Sequence, residues 1–152
     1  MLTEKSVGIV LIKRETDIRF LILYRKANAN FKEAWEFPKG IVDKSETEMQ
    51  TAVRELGEET GLLAKDIKFL PEFHDKISYF FRNQSQELVK KEVSFVLAQT
   101  NKSEIRLSSE HDAYRWAPYL EAWELLSQNN TKEVLKKANE FVKRTFRQKT
   151  IF

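Results

Sequence analysis

The chain contains no cysteine, and this absence excludes disulfide bonds, thiolate metal sites and cysteine nucleophiles. It contains only two histidines, His74 and His111, but 23 acidic residues. Any bound metal ion is therefore expected to take mainly carboxylate oxygens as ligands, and these are the ligands that hard cations prefer. This composition favours Mg²⁺ or Mn²⁺ as a cofactor.

Long apolar runs and flexible linkers are also missing. No stretch approaches the roughly 18 apolar residues that span a bilayer, and the apolar run Val7 to Ile12 lacks the small-residue cleavage site of a signal peptide. With 4 glycines and 3 prolines, no segment resembles a linker. We therefore expect one domain over residues 1–152, cytoplasmic and without a membrane partner. The net charge of +3 suits an anionic substrate, but ordinary solvated surfaces carry such an excess too.

Several short segments rich in β-branched and aromatic residues predict a fold with many strands. Residues 7–12 and 18–24 flank the polar segment 13–17 and are predicted to form an antiparallel hairpin. Further strands are predicted at residues 67–73, 77–82 and 92–99, the last with apolar residues at alternating positions.

Three helices are predicted, one central and two near the C-terminal end. In the central helix, Ser45 and Glu48 form a capping box at the start, and Gly61 ends the helix. Its apolar residues recur at helical intervals: Met49, Ala52, Val53 and Leu56. The other two helices are predicted at 120–126 and 131–146. Strands on both sides of a central helix, followed by helices, predict an α/β (α+β) sandwich in which a mixed β-sheet lies between helices.

The central helix concentrates acidic residues. Glu55, Glu58 and Glu59 are spaced three and four residues apart. Glu48 precedes Glu55 by two turns, so all four side chains share one face, opposite the apolar face. Carboxylates this close repel one another and raise one another's pKa unless a cation lies among them. The spacing alone leaves two interpretations open, a metal site and an acidic solvated surface.

The residues around this helix form a longer motif. From Gly40, five residues lead to Glu46, and seven more lead to the run Arg54-Glu55-Leu56-Gly57-Glu58-Glu59-Thr60-Gly61-Leu62. Every fixed position matches GX5EX7REUXEEXGU, in which U is aliphatic, and on this motif the chain is identified as a member of the Nudix superfamily. The resemblance implies the Nudix fold and the metal-dependent hydrolysis of a nucleoside diphosphate linked to another moiety.

The resemblance also implies roles for the matched carboxylates. Glu58 and Glu59 are expected to bind Mg²⁺ or Mn²⁺, and Glu55 to bind metal or to act as the general base. Nudix enzymes often recruit one acidic residue from beyond the motif, and Glu110 is the candidate for that metal ligand or base. The cations are needed because a pyrophosphate is multiply anionic and repels an attacking hydroxide.

Three further motif positions are expected to support this site. Arg54 and Glu46 resemble the orienting ion pair of the family. Gly40 resembles its loop glycine, at which the backbone passes close to the metal. These residues are expected to hold the carboxylates in place, whereas the last glycine of the motif, Gly61, only ends the helix.

Two stretches outside the motif narrow the substrate. The first is Trp-Glu-Phe-Pro-Lys at residues 35–39, and the second is residues 104–116, which include Arg-Leu-Ser, Glu-His and Tyr-Arg-Trp. Both resemble segments of asymmetric diadenosine tetraphosphate hydrolases, which produce ATP and AMP. An adenine ring binds by stacking on aromatic side chains, and a polyphosphate binds to lysine or arginine. The candidate substrate contacts are Tyr79 and Tyr114 for the base, Lys39, Lys91 and Arg82 for phosphate, and His111 for phosphate or ribose.

Other functions stay open at the level of sequence. The same chemistry serves the 5′ end of RNA, oxidised nucleotides and diphosphoinositols. Lys39 argues against RNA, because RNA-end enzymes of the superfamily commonly carry glutamine at this position. A non-catalytic nucleotide sensor would be expected to lose one of Glu55, Glu58 and Glu59, and all three are present. The basic segment 143–149 is interpreted as favourable charge at a helix end, so no stable nucleic-acid partner is expected.

Overall fold

The computed structural model describes residues 1–150 of the chain, with side chains as far as residue 147. Within this range, seven strands form one sheet: β1 (Leu2–Arg14), β2 (Ile18–Arg25), β3 (Ala34–Glu36), β4 (Lys39–Ile41), β5 (Lys68–Arg82), β6 (Leu88–Gln99) and β7 (Ala113–Pro118). The helices of the same range are α1 (Glu48–Thr60), α2 (Tyr119–Leu125) and α3 (Asn129–Thr150), with a short 3-10 turn at Ala64–Asp66.

The sheet is mixed and has β1 at its centre. The strand order is β3-β2-β1-β6-β5, with β4 also paired to β1 and β7 paired to β2. β1 and β6 run parallel, whereas the other pairs are antiparallel. α1 packs on one face of the sheet, and α2 and α3 pack on the other. The predicted sandwich of a mixed sheet between helices is confirmed.

Strand β1 is buried on both faces. Val10 and Ile12 belong to the apolar cluster beneath α2 and α3, whereas Ile9 and Leu11 belong to the cluster beneath α1. Because helices cover both faces, the strand is a continuous apolar run and lacks the alternation of a half-exposed strand. Burying each aliphatic side chain contributes about 1.5–3 kcal/mol, so β1 anchors both halves of the core.

Most of the predicted elements are present. β1 and β2 form the predicted antiparallel hairpin, with Ile12 opposite Phe20. α2 and α3 correspond to the two predicted C-terminal helices, and the apolar side of α3 enters the core. The basic segment 143–149 forms the end of α3, although the side chains of its last two residues lie outside the described part of the chain. None of the helices described in residues 1–150 has both the length and the apolar character that crossing a membrane requires.

The start of α1 differs from the prediction. The N-cap is Thr47, whose hydroxyl oxygen accepts from the backbone N–H of Gln50 at 3.1 Å, while the Gln50 side chain accepts from the Thr47 N–H at 2.9 Å. The capping box is therefore real but begins two residues after Ser45, which the sequence favoured. Glu48 is the exposed first residue of α1, and its side chain lies 2.9 Å from the imidazole of His74, away from the other three glutamates of the helix. The predicted end is confirmed, since Gly61 adopts the left-handed conformation at φ 76°.

A long hairpin replaces the two short strands predicted at 67–73 and 77–82. β5 is continuous from residue 68 to residue 82, with a register irregularity between Phe69 and His74. Apart from the candidate contacts Tyr79, Arg82 and Lys91, the sequence left the role of the segment 72–92 open, and in the structure it forms most of β5, the start of β6 and the connecting turn. Asn83 organises that turn, because its side-chain oxygen accepts from the N–H groups of Ser85 and Glu87. The sequence predicted two strands here because the register irregularity interrupts the alternation of apolar residues along β5.

Candidate active site

One cleft, here called the carboxylate cleft, is lined by all five of the predicted catalytic residues. Its volume is about 410 Å³. Its walls are β4 with the loop after it, one face of α1, and the loop before β7: Lys39, Gly40, Ile41, Asp43, Arg54, Glu55, Glu58, Glu59, Ser108, Ser109 and Glu110. The N–H of Arg106 donates to the carbonyl of Thr60 at 2.9 Å and so ties the loop before β7 to the end of α1. This contact brings Glu110 to the three glutamates of the helix.

Gly40 and Glu55 meet at the side of the cleft. β4 pairs with β1, with Gly40 opposite Val7, and this pairing fixes the strand beside α1. A Cβ placed on Gly40 would lie 1.9 Å from the carboxyl carbon of Glu55. The position therefore requires glycine because of the space that the carboxylate occupies.

Glu59 is the most deeply buried carboxylate of the cleft. Only 3% of the residue is exposed, and its Oε2 atom has no hydrogen-bond partner. Burial, followed by the negative charges of Glu55 and Glu110, raises the pKa of Glu59 to about 9, although a backbone hydrogen bond from Lys39 opposes the shift. At neutral pH this carboxyl group must hold a proton or receive a neighbouring cation.

Glu55 and Glu58 differ from Glu59 and from each other in exposure. Glu55 is buried, and burial raises its pKa although a hydrogen bond from Arg54 lowers it. The side chain of Glu58 is 58% exposed, although the residue also lines the cleft. The predicted face of α1 thus combines two buried carboxylates with one exposed carboxylate, and it is not a uniformly solvated surface.

The donor atoms of the carboxylate cleft suit a hard divalent cation. All of its acidic groups offer carboxylate oxygens, and the Oε2 atom of Glu59 is free to bind a cation, which would offset the burial that raises the pKa of Glu55 and Glu59. Within residues 1–150, no three acidic or imidazole groups already surround a common point at ligand spacing. The residues that could hold Mg²⁺ or Mn²⁺ are therefore close together without forming a complete coordination shell, and the exposed Glu58 has the most room to move.

Arg54 connects the cleft to the loop before α1. Its Nε and Nη2 atoms donate to the two carboxylate oxygens of Glu46 at 2.7 and 2.9 Å, and its Nη1 donates to Glu55 at 2.8 Å. A further bond from Nη2 reaches the carbonyl of Ile41 at 2.8 Å. The Arg54 guanidinium lowers the pKa of Glu46 to about 2. The bidentate pair with Glu46 holds the guanidinium beside Glu55, and the orienting role that the resemblance implies for Arg54 and Glu46 stays a prediction.

A second polar network, not recognised in the sequence, lies behind Lys39. The Nε2 atom of His111 is 2.9 Å from Glu36, and Arg25 approaches the same carboxylate oxygen at 3.5 Å. Burial would raise the pKa of Glu36, but the hydrogen bond to His111 and the charges of Lys39 and Arg25 hold it below its ordinary value. In the sequence, the only indication of a role for Glu36 was its position as a charged residue between two aromatic residues. His111 is buried here and is not among the residues lining the carboxylate cleft.

Lys39 and Lys91 supply positive charge near the buried carboxylates. Burial lowers the pKa of Lys39. The negative charge of Glu36 opposes this shift, whereas the positive charges of Lys91 and Arg25 add to it. Lys91 is buried on β6 and forms an ion pair with Glu4. Of the predicted phosphate contacts, only Lys39 lines the carboxylate cleft.

The structure does not bring the two predicted stacking tyrosines together. Tyr79 packs against the cluster beneath α2 and α3, and Tyr114 packs against the cluster beneath α1, so they lie on opposite faces of the sheet. Arg82 is at the exposed end of β5, where its Nη1 donates to the carbonyl of Gln86 at 2.9 Å. Burial, followed by the negative charges of Glu4 and Glu36, raises the pKa of Tyr79, so its hydroxyl group is within electrostatic range of the network behind Lys39.

Comparison with known proteins gives relatives over nearly the whole chain. The NUDIX domain family model matches residues 2–138. The asymmetrical bis(5'-nucleosyl)-tetraphosphatase of Rattus norvegicus is 33% identical over 147 residues, covering 91% of this chain and 95% of that protein. The crystal structure of a C. elegans Ap4A hydrolase binary complex has a TM-score of 0.78 at 26% identity, covering 91% and 97%. The RNA pyrophosphohydrolase of Hydrogenovibrio crunogenus is 29% identical over 126 residues, covering 75% and 73%.

Proposed function

Because the chain belongs to the Nudix hydrolase family, we propose that it cleaves a dinucleoside tetraphosphate asymmetrically, converting diadenosine tetraphosphate and water into ATP and AMP. The observation that carries this proposal is the burial of Glu59 beside Lys39 in one cleft. Such a cleft offers carboxylates for cations and a lysine for phosphate. The Rattus norvegicus relative, which is named for this activity and is covered over 95% of its length, supports the choice of substrate.

Divalent cations fit the proposed reaction and the carboxylate cleft. Nudix hydrolases generally depend on divalent metal ions, and Glu55, Glu58, Glu59 and Glu110 are the residues that would hold Mg²⁺ or Mn²⁺ here. When bound, such ions neutralise phosphate oxygens and lower the pKa of a water molecule.

The protein side chains position the reacting groups. Arg54 holds Glu55 in one orientation, and burial raises the pKa of Glu55, so this carboxylate is suited to take a proton from the attacking water. Glu110 is the alternative base, because it lies across the cleft on the loop before β7. Lys39 is the residue that would bind a phosphate oxygen, and its position in the lining of the cleft, with Glu59 within electrostatic range, supports this role.

The polar network behind Lys39 is proposed to support substrate binding on the side of the site that faces away from α1. His111 is held by Glu36, so its proposed contribution is to fix the loop that carries Glu110. Tyr79 pairs with Lys91 across β5 and β6 and is half-buried, and the proximity to the predicted phosphate contact Lys91 supports Tyr79 over Tyr114 as the tyrosine that stacks on a base.

A second candidate function is the removal of pyrophosphate from the 5′ end of RNA. The observation in its favour is the similarity to the RNA pyrophosphohydrolase of Hydrogenovibrio crunogenus over 75% of the chain. This similarity covers less of the chain than the similarity to the tetraphosphatase, and its identity is lower. We therefore rank RNA second.

A product assay with Mg²⁺ distinguishes the two functions. Diadenosine tetraphosphate should give equal amounts of ATP and AMP, and triphosphorylated RNA should release no pyrophosphate. If the reaction is run in ¹⁸O-labelled water, the label should appear in only one of the two products and so identify the phosphorus attacked. Release of pyrophosphate from RNA without formation of ATP and AMP would overturn the proposal.

A further inference from the structure

A second cavity, here called the Phe31 cavity, adjoins the carboxylate cleft. Its volume is about 570 Å³, and its walls include Arg25, Lys26, Asn28 and Phe31 at the end of β2 and in the loop after it. Ser109 and Glu110 line both cavities, so one loop forms a shared wall. A ligand longer than a single nucleotide can extend past this wall from one cavity into the other.

Local hydrogen bonds give the Phe31 cavity a defined shape. The side-chain oxygen of Asn28 accepts from the N–H groups of Asn30 and Phe31 at 2.8 and 2.9 Å, and the Asn28 N–H donates to the carbonyl of Phe31 at 2.8 Å. On the other wall, the N–H of Lys26 donates to the carboxylate of Asp112 at 3.1 Å. The loop that carries Phe31 is therefore closed on itself and joined to the loop that carries Glu110.

The Phe31 cavity combines an exposed aromatic ring with positive charge. Phe31 is 57% exposed, and the guanidinium carbon of Arg25 lies 4.9 Å from the centre of its ring. Glu36 is 3.5 Å from Arg25, whose Nε atom is buried without a hydrogen-bond partner. An exposed aromatic ring beside a cation is the surface on which a nucleobase stacks, and Arg25 and Lys26 can bind the phosphates attached to that base.

We propose that the Phe31 cavity binds the second nucleoside of the dinucleotide while the reacting phosphates occupy the carboxylate cleft. The base stacks on Phe31, the nearest phosphate contacts Arg25 or Lys26, and the Asp112 carboxylate accepts a hydrogen bond from a ribose hydroxyl. This inference rests on the proposed dinucleotide substrate. It gives a physical reason for preferring a substrate with a nucleoside at both ends, because a substrate with one nucleoside, held at the other end of its phosphate chain, leaves the Phe31 cavity empty.

Steady-state kinetics test the inference with a matched pair of variants. Phe31→Ala removes the stacking surface, and Phe80→Ala removes a phenylalanine of the same 57% exposure on β5. Phe31→Ala is expected to raise KM for diadenosine tetraphosphate about tenfold with little change in kcat, whereas adenosine 5′-tetraphosphate, which has one nucleoside, loses less than about twofold in kcat/KM. Phe80→Ala should match the wild type with both compounds. An equal loss with both compounds, or a loss in kcat alone, overturns the inference.

A binding measurement separates this inference from the proposed function. AMP, titrated without metal, should shift the backbone amide resonances of residues 28–31 in the wild type and in Phe80→Ala, but not in Phe31→Ala. Lys26→Ala should weaken AMP binding more than Lys32→Ala, which removes an exposed lysine from the same loop. If AMP shifts these amides and no dinucleotide is cleaved, the cavity stands and the proposed function fails. If the dinucleotide is cleaved and these amides do not respond, the cavity assignment fails.

Discussion

The backbone of Gly40 faces the carboxylate of Glu55 so closely that a Cβ on Gly40 would lie 2.0 Å from Glu55 Oε1. This contact joins β4 to the carboxylate face of α1. We expect Gly40→Ala to reduce kcat/KM by at least about a hundredfold and to destabilise the protein by about 1–3 kcal/mol, because the carboxylate must move to admit the methyl group.

Gly57→Ala is the matched control for this prediction. A Cβ on Gly57 would lie 3.6 Å from the carbonyl oxygen of Leu62, which is an ordinary contact, and the residue is within α1. Because alanine favours the helix over glycine, this variant should be more stable than the wild type by about 0.5–1 kcal/mol and should keep its activity. Urea unfolding and initial rates measure both variants. Equal activity of the two would contradict the role assigned to the contact.

Glu59→Gln should abolish turnover and yet stabilise the metal-free protein at pH 8. The folded-state pKa of Glu59, about 9, is above the ordinary 4.5, so its favourable contribution is complete only below about pH 4.5 and is lost as the pH rises toward 9. Glutamine has no charge to bury. We therefore expect the free energy of unfolding of Glu59→Gln to exceed that of the wild type by about 1–3 kcal/mol at pH 8, and the difference to vanish at pH 5. The measurement is urea unfolding in EDTA. Glu58→Gln, which changes an exposed residue of the same helix, should alter stability by less than about 0.5 kcal/mol.

Addition of Mg²⁺ should raise the Tm of the wild type through the same carboxylates. At a free concentration 100 times the dissociation constant, one bound ion stabilises the folded state by about 2.7 kcal/mol. The increase in Tm should be smaller in Glu58→Gln, Glu59→Gln and Glu110→Gln than in the wild type. It should equal that of the wild type in Glu140→Gln, which alters an exposed residue of α3. EDTA should reverse the effect and stop turnover. A full increase in Glu59→Gln would remove that residue from the proposed metal site.

Glu46→Gln should change the acid sensitivity of the fold. Because Arg54 holds the pKa of Glu46 near 2, below the ordinary 4.5, the pair stabilises the protein above pH 4.5, and this contribution is lost as the pH falls toward 2. The variant should therefore melt at a lower temperature than the wild type at pH 6, and the difference should shrink between pH 4.5 and pH 3. Thermal unfolding in EDTA measures this difference. A constant difference across that range would show that the ionised pair is not its source.

Local patterns predicted the elements better than their ends. The buried run of β1, the apolar stripe of α3 and the glycine that ends α1 are properties of consecutive residues, and each was recognised. The start of α1 was missed because Ser45 and Thr47 both suit an N-cap, and only the path of the chain after β4 selects Thr47. Glu36 was missed because its partners, Arg25 and His111, come from distant strands and loops.

The amino-acid sequence by itself determined the chemistry of the carboxylate face, because the helical repeat places Glu55, Glu58 and Glu59 on one side of α1 whatever surrounds it. The tertiary structure alone decided that Glu59 is buried and Glu58 exposed, that Glu110 joins them, and that Tyr79 and Tyr114 lie on opposite faces of the sheet. The periodicity of a sequence predicts on which face of its own helix or strand a side chain lies. Burial and proximity depend on which other elements pack against it, and those contacts are made between residues far apart in the chain.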